Sequence, residues 1–182
     1  MVTDRQTNAL SNATASAASL FDEAVHSFNI YCGDPLARLD EAIADSPAFA
    51  QAHLFKGFIL ALATEPAATA QARDIAKAVR SMNLNEREAS QSAILEQLLV
   101  GNWVGAATAM DFHNMRYPRD LAALQVGHLM DFYRGSARDL RDRPARAMPG
   151  WTDDTPGYHA VVAMHAFGLE ETGDYARAEE AG

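Results

Sequence analysis

The fold is decided by residues 101–118, which read GNWVGAATAMDFHNMRYP. Gly101 permits the left-handed backbone conformation that ends a helix, and the asparagine after it can cap the helix that follows. An aromatic residue, Trp103, stands two positions after this glycine, and the small residue Ala106 stands five positions after it. Pro118 closes the segment, because proline has no backbone N–H to continue a helix. The stretch is therefore typical of a turn followed by one short helix.

Similar breaks recur along the chain at a nearly constant interval. Gly33, Ala67, Gly101 and Gly135 each lie in a short interruption of a helical pattern, and successive members of this series are 34 residues apart. The next break, at Gly173, comes after 38 residues, because the interval carries an insertion with two prolines and a tryptophan. A period of 34 residues built from two helices is the tetratricopeptide unit.

Between the breaks, apolar residues recur at steps of three and four, as on one face of a helix. No segment alternates apolar and polar residues in the manner of a strand, so no sheet is expected. We predict an all-α fold, a right-handed superhelical stack of helical hairpins with tetratricopeptide-like repeats. The predicted helices lie near 16–32, 34–45, 48–63, 67–82, 85–100, 103–115, 119–134, 136–147, 157–172 and 174–182.

The domain organisation follows from the same pattern. Residues 1–15 are polar, and we expect a disordered or loosely helical lead-in there. Residues 16–182 are predicted to form one helical-repeat domain that is truncated mid-repeat at its C-terminus, since no polar capping helix follows the last break. We therefore expect either a fragment of a longer chain or an end that is covered by a second copy.

The composition indicates which kinds of partner the chain can bind and in which cellular compartment we expect it. The net charge of −9 argues against nucleic acid and against anionic membranes, which both attract an excess of Lys and Arg. The longest apolar run, 57–63, is far shorter than the roughly 20 residues that span a bilayer. The single cysteine, Cys32, excludes a disulfide framework and favours a cytoplasmic location. We expect Cys32 to be a small buried residue.

The second half of the chain resembles a known family through several short stretches. They are Tyr117-Pro118-Arg119-Asp120-Leu121-Ala122-Ala123-Leu124-Gln125, Gly127-His128, Asp131-Phe132-Tyr133-Arg134-Gly135, Arg141-Asp142-Arg143, Gly157-Tyr158-His159 and 164–171. These are similar to the tetratricopeptide repeat protein 38 family, and a looser likeness in the first half extends the resemblance to about residues 20–182. The resemblance implies an α-helical repeat protein that is longer than this chain, and it implies no particular activity.

One group of polar residues could carry chemistry. His128 and Asp131 are three residues apart, so both project from one side of a predicted helix. His159 and His165 lie on the corresponding helix of the next unit, and Tyr133 stands beside the first pair. Imidazole and carboxylate groups could bind a ligand, bind a divalent metal or exchange protons. The structural interpretation is that they form hydrogen bonds between stacked helices, because their spacing matches no metal motif.

A second group consists of arginines in an otherwise acidic chain. Arginine forks suit carboxylate and phosphate groups, so Arg134 and Arg138 could contact an acidic partner. Aspartates interleave with them, however, and alternating charges are typical of a solvated, salt-bridged helix face. The arginines of this segment are Arg134, Arg138, Arg141, Arg143 and Arg146, and the aspartates are Asp139 and Asp142.

The leading hypothesis is a protein-interaction scaffold that binds a peptide or helix, preferably an acidic one, in a concave groove. The alternative is a small-ligand-binding protein or metal-dependent enzyme, with a site between the 119–134 and 157–172 helices. A third possibility is a structural unit that self-associates through its open repeat end. No phosphate-binding loop, nucleophile elbow, paired cysteine motif or dinucleotide fingerprint occurs, which disfavours an enzyme. We predict no catalytic residue, no metal and no cofactor.

Overall fold

The computed structural model describes residues 1–182 and contains ten α-helices and no β-strand. This confirms the all-α class and each predicted helix, with ends that shift by at most a few residues. The helices are α1 (Ala15–Asn29), α2 (Pro35–Asp45), α3 (Ala50–Leu62), α4 (Pro66–Val79), α5 (Glu86–Leu99), α6 (Trp103–Arg116), α7 (Leu121–Tyr133), α8 (Ala137–Ala147), α9 (Tyr158–Glu171) and α10 (Tyr175–Ala181). A 3₁₀ turn, Met148–Gly150, follows α8 within the proline-containing insertion.

The breaks between helices contain the left-handed backbone that the repeat pattern predicts. Gly33, Gly101, Gly135 and Gly173 have φ angles of 85°, 83°, 66° and 81°, in the region that glycine enters without a steric penalty. The left-handed residue directly after the helix is Tyr31 (φ 53°) at the end of α1 and Thr64 (φ 58°) at the end of α3. Three of the glycines, Gly101, Gly135 and Gly173, therefore end helices themselves, and Gly33 lies in the turn before α2.

Met1–Ala106 and Ala107–Gly182 form two compact units. In the first unit, α1 packs against α2, α3 against α4, and α5 against both α3 and α4. Its core includes the rings of Phe21, Phe49 and Phe55, which meet edge to face at 5.6 and 6.0 Å. Each helix thus buries its apolar stripe against its neighbours in sequence.

The second unit repeats this arrangement with α7, α8, α9 and α10, each packed against the next, and α7 also contacts α9. The crossing of α8 and α9 is very close at Gly168, where a Cβ atom would lie 2.4 Å from the Cα of Arg141. Trp151, in the insertion, donates its indole N–H to the Pro118 carbonyl at 2.8 Å. The inserted segment is therefore tied to the α6–α7 turn.

The first fourteen residues differ from the predicted disordered or loosely helical lead-in. They form an ordered, non-helical segment with a single antiparallel bridge between Thr3 and Ala9. One physical reason is local, since the Asp4 carboxylate accepts the backbone amides of Gln6 and Asn8 at 3.0 and 2.7 Å. Another is contact with α5, where Arg87 donates to the Ala9 carbonyl at 3.1 Å. A polar composition can thus support an ordered turn when one side chain satisfies several amides. The prediction that Cys32 is buried is wrong, because it lies exposed in the turn after α1.

Candidate functional site

The polar residues predicted to form a site are carried mainly by α7, which is buried along most of its length. Asp120 caps this helix by accepting the Ala123 amide at 3.1 Å, as the Tyr-Pro-Arg-Asp sequence suggests. Burial continues from Leu121 through Met130 and Asp131. The two polar residues of interest, His128 and Asp131, therefore point into the protein rather than into solvent.

Asp131 is fully buried and makes a two-pronged ion pair with Arg143 of α8. Its two oxygens accept Nε of Arg143 at 2.7 Å and Nη2 at 3.1 Å. Arg143 is only 2% exposed, and it also donates to the Asn114 side chain at 2.9 Å and to the Ala107 carbonyl at 3.1 Å. A buried charge needs such a complete set of partners, so Asp131 has a structural role.

The space for this arginine is made by a glycine in α7. A Cβ atom on Gly127 would lie 2.9 Å from Nη1 of Arg143 and 3.0 Å from its Cζ. The guanidinium therefore rests directly on the α7 backbone, one helical turn before Asp131. Gly127 is present in this helix because any larger residue would push the guanidinium away from its carboxylate.

Two opposing effects act on the Asp131 carboxyl. Burial raises the pKa of Asp131 above its ordinary value, and the hydrogen bond and positive charge of Arg143 oppose that rise. Arg134 adds a weaker contact, with its Nη1 3.3 Å from the carboxylate. Because both oxygens already accept hydrogen bonds from Arg143, the carboxylate acts as the partner of this arginine rather than as a ligand-binding group.

His128 is a packed, neutral ring. It is 5% exposed, and its imidazole meets the Phe167 ring of α9 edge to face at 5.8 Å. Burial, together with the positive charge of Arg143, lowers the pKa of His128 to about 4. Its buried Nδ1 atom has no hydrogen-bond partner in the protein. His128 thus contributes to the contact between α7 and α9 as an aromatic surface.

The two histidines of α9 lie apart from this network. His165 is half-buried and has its Nδ1 atom 3.3 Å from the Arg141 carbonyl of α8. His159 is exposed near the start of α9, where it lines a shallow cleft with Asp153 and Asp154. No three His, Cys, Asp or Glu residues are arranged to hold a metal ion. The structure therefore does not gather the predicted residues into one catalytic or metal-binding group.

The arginines of α8 and its preceding turn are mostly paired. Arg134 lies 3.6 Å from Asp139, and Arg141 lies 2.7 Å from Asp142. Arg146 pairs with Asp111 of α6. These ion pairs agree with the interpretation of the segment as a salt-bridged helix face, except that Arg143 is buried. Arg138 is exposed, and its charge contributes to lowering the pKa of Asp142, so the segment carries one exposed, weakly paired cation rather than a basic patch.

The structure also shows an aromatic surface that the sequence analysis did not identify as a site. Phe132 contacts Tyr133 at 5.8 Å between ring centroids, and it contacts Phe167 of α9 at 6.0 Å. Phe132 and Tyr133 are 49% and 52% exposed, whereas Phe167 is half-buried. We call these three residues the aromatic face. Tyr133 is the only member of the predicted site that belongs to it.

None of the ten helices is both long enough and apolar enough to cross a membrane. No protein-family model matches the sequence, and no solved structure matches the chain.

Proposed function

We propose that this chain is a protein-interaction module that binds a peptide segment of another protein on the aromatic face. The single observation that carries this proposal is the exposure of two adjacent rings, Phe132 and Tyr133, at the end of α7. Aromatic side chains supply large contact areas at little cost in conformational entropy, and they are enriched where binding energy is concentrated. A partner residue with an apolar side chain would therefore pack against these two rings.

Charge defines the partner further. Arg138 is exposed, is only weakly paired with Asp142, and lies five residues after Tyr133 in sequence. A carboxylate on the partner segment could pair with it, which retains the expected preference for an acidic peptide. Since the other arginines are already matched with aspartates, we propose that apolar contact provides most of the affinity and that charge provides orientation.

We also propose that the helices form a tetratricopeptide arrangement. Positive-φ glycines at the predicted helix ends and packing between helices adjacent in sequence support a right-handed superhelical stack. The likeness to the tetratricopeptide repeat protein 38 family and a cytoplasmic location are parts of this proposal as well. The alternative of an enzyme is less favoured, because Asp131 is committed to Arg143 and His128 is buried as a neutral ring.

The experiment is a selection of peptides from a displayed random library on the full chain, followed by fluorescence anisotropy with a selected peptide. Replacing Phe132 and Tyr133 together with alanine should weaken binding at least about tenfold, which corresponds to about 1.4 kcal/mol. The matched control is Phe112→Ala, because Phe112 of α6 is 66% exposed but lies outside the aromatic face. The control should bind like the unaltered chain.

Two results would contradict the proposal. The first is that the library yields no peptide that binds the chain specifically. The second is that the double variant remains folded, as judged by circular dichroism, and binds the selected peptide as tightly as the Phe112→Ala control does.

A further inference from the structure

The ordered segment at residues 1–14 contacts three side chains at the start of α5. The Ala9 carbonyl accepts Nδ2 of Asn85 at 3.3 Å and Nη2 of Arg87 at 3.1 Å. Two residues later, the Ser11 amide donates to Oε1 of Glu88 at 2.9 Å. Three side chains from one helical turn thus contact the backbone of this segment.

An apolar anchor lies between those two backbone contacts. Leu10 is 5% exposed, whereas its backbone amide bonds within the segment itself, to the Val2 carbonyl at 3.0 Å. Residues 9–11 therefore present a carbonyl acceptor and an amide donor to α5, on either side of a buried leucine. Backbone groups are common to all residues, so this pattern restricts the sequence mainly at the central position.

Two of the three recognising side chains, Asn85 and Glu88, are held in place by contacts that do not involve the segment. Asn85 and Glu88 form a capping box, in which each side chain accepts the other residue's backbone amide at 3.0 Å. Oε2 of Glu88 accepts the Asn85 amide in the capping box, and Oε1 accepts the Ser11 amide. Because the cap fixes both side chains, the site is organised before any segment binds, which lowers the cost of binding.

We propose that Asn85, Arg87 and Glu88 form a binding site for a short non-helical peptide segment, occupied in this chain by its own residues 9–11. The ligand class is a non-helical segment from another protein with an aliphatic residue at its centre. Such a segment competes with residues 9–11 for the same three side chains. This site lies entirely within the first unit, and it is independent of the aromatic face and of the function proposed there.

The test uses the full chain and a fluorescent peptide that corresponds to residues 1–12. In the unaltered chain, the attached segment competes with the peptide at a high effective concentration, so added peptide binds weakly. Leu10→Ala in the chain removes the anchor and opens the site, and it should tighten binding of the unaltered peptide at least about tenfold. Leu10→Met, which keeps an apolar anchor, and Thr3→Ala, at an exposed position, are the matched controls and should bind like the unaltered chain.

A change in the peptide alone shows whether binding depends on its backbone hydrogen bonds or only on apolar contact. Methylation of the Ser11 amide nitrogen removes the donor to Glu88 and should weaken binding to the Leu10→Ala chain about tenfold or more. The proposal is overturned if the Leu10→Ala chain binds the peptide no more tightly than Thr3→Ala does, or if the methylated peptide binds equally well. Loss of helical circular dichroism in Leu10→Ala at 25 °C would also overturn it, because a displaceable segment must leave the helices folded.

Discussion

The buried pair between Asp131 and Arg143 provides the sharpest quantitative prediction. Asp131→Asn keeps the size and shape of the side chain but removes its charge and one of its two acceptor oxygens. Arg143 would then keep its full charge at 2% exposure with only half of its contacts to α7. The substitution thus isolates what the carboxylate contributes to folding, rather than what side-chain volume contributes.

The expected magnitude follows from the geometry of the pair. Removing one partner of a buried ion pair typically costs about 3–5 kcal/mol, because the remaining charge is left uncompensated. Asparagine can still accept one hydrogen bond from the guanidinium, and Oδ1 of Asp111 remains 3.7 Å from Nη1 of Arg143, so we expect the lower end, about 3 kcal/mol. For a chain of this length, that change lowers the melting temperature by roughly 10 °C.

The measurement is urea unfolding at pH 7, followed by circular dichroism and compared with a surface control. Asp139→Asn is the matched control, since Asp139 faces Arg134 at 3.6 Å and its side chain is 46% exposed. It should change the free energy of unfolding by less than about 1 kcal/mol. The double variant Asp131→Leu with Arg143→Met removes both charges, and it should recover most of the stability lost in Asp131→Asn.

The reasoning is refuted if Asp131→Asn unfolds at the same urea concentration as the Asp139→Asn control. It is also refuted if Asp131→Asn is stable but loses binding of a selected peptide. That second outcome would place Asp131 in a binding site rather than in a structural pair.

Three further predictions concern stability. Gly168→Ala should lower stability by about 2 kcal/mol or more, because its Cβ would lie within 2.6 Å of the α8 backbone. Ala163→Ser, at an exposed position of the same helix, is the control, and its thermal unfolding should change little. His128 remains neutral in the folded chain while its unfolded form gains a proton, so stability should fall by about 2 kcal/mol between pH 7 and pH 5. His128→Phe should flatten that pH dependence of urea unfolding, whereas a stability loss unchanged in His128→Phe would contradict the assignment. Asp120→Ala removes the α7 cap and also the contact of Asp120 Oδ2 with Nε2 of buried His113 at 3.3 Å, so it should cost about 2 kcal/mol or more by the same assay; an unchanged midpoint would contradict both roles.

Helix positions could be predicted from the sequence because their signals are local. A glycine that ends a helix and a polar residue that caps the next one are separated by only a few positions. Asp34, Asn85 and Asp120 all cap helices in the structure, with their side chains accepting the amide three residues later. The segment at 1–14 escaped prediction because its order depends on α5, some 75 residues further along the chain.

The candidate site was harder to predict, because burial decides what a polar residue does. The sequence indicates that His128 and Asp131 lie on one side of α7, but their spacing alone does not show which helix they face. A signal for the buried arginine exists in the sequence: Arg143 falls on the apolar stripe of α8, three residues after Leu140 and one residue before Pro144. The aromatic face was missed because Phe132 and Tyr133 continue an apolar helix pattern that is typical of a core.

The most direct test of the central claim is to locate a bound peptide by NMR. A peptide selected on the full chain would be added to protein with labelled aromatic and histidine side chains. We predict that the ring signals of Phe132, Tyr133 and Phe167 shift in proportion to bound peptide, and that the signals of His159 and His165 remain in place. Shifts confined to the two histidines, with the three rings unchanged, would contradict the claim that this chain binds partners through the aromatic face.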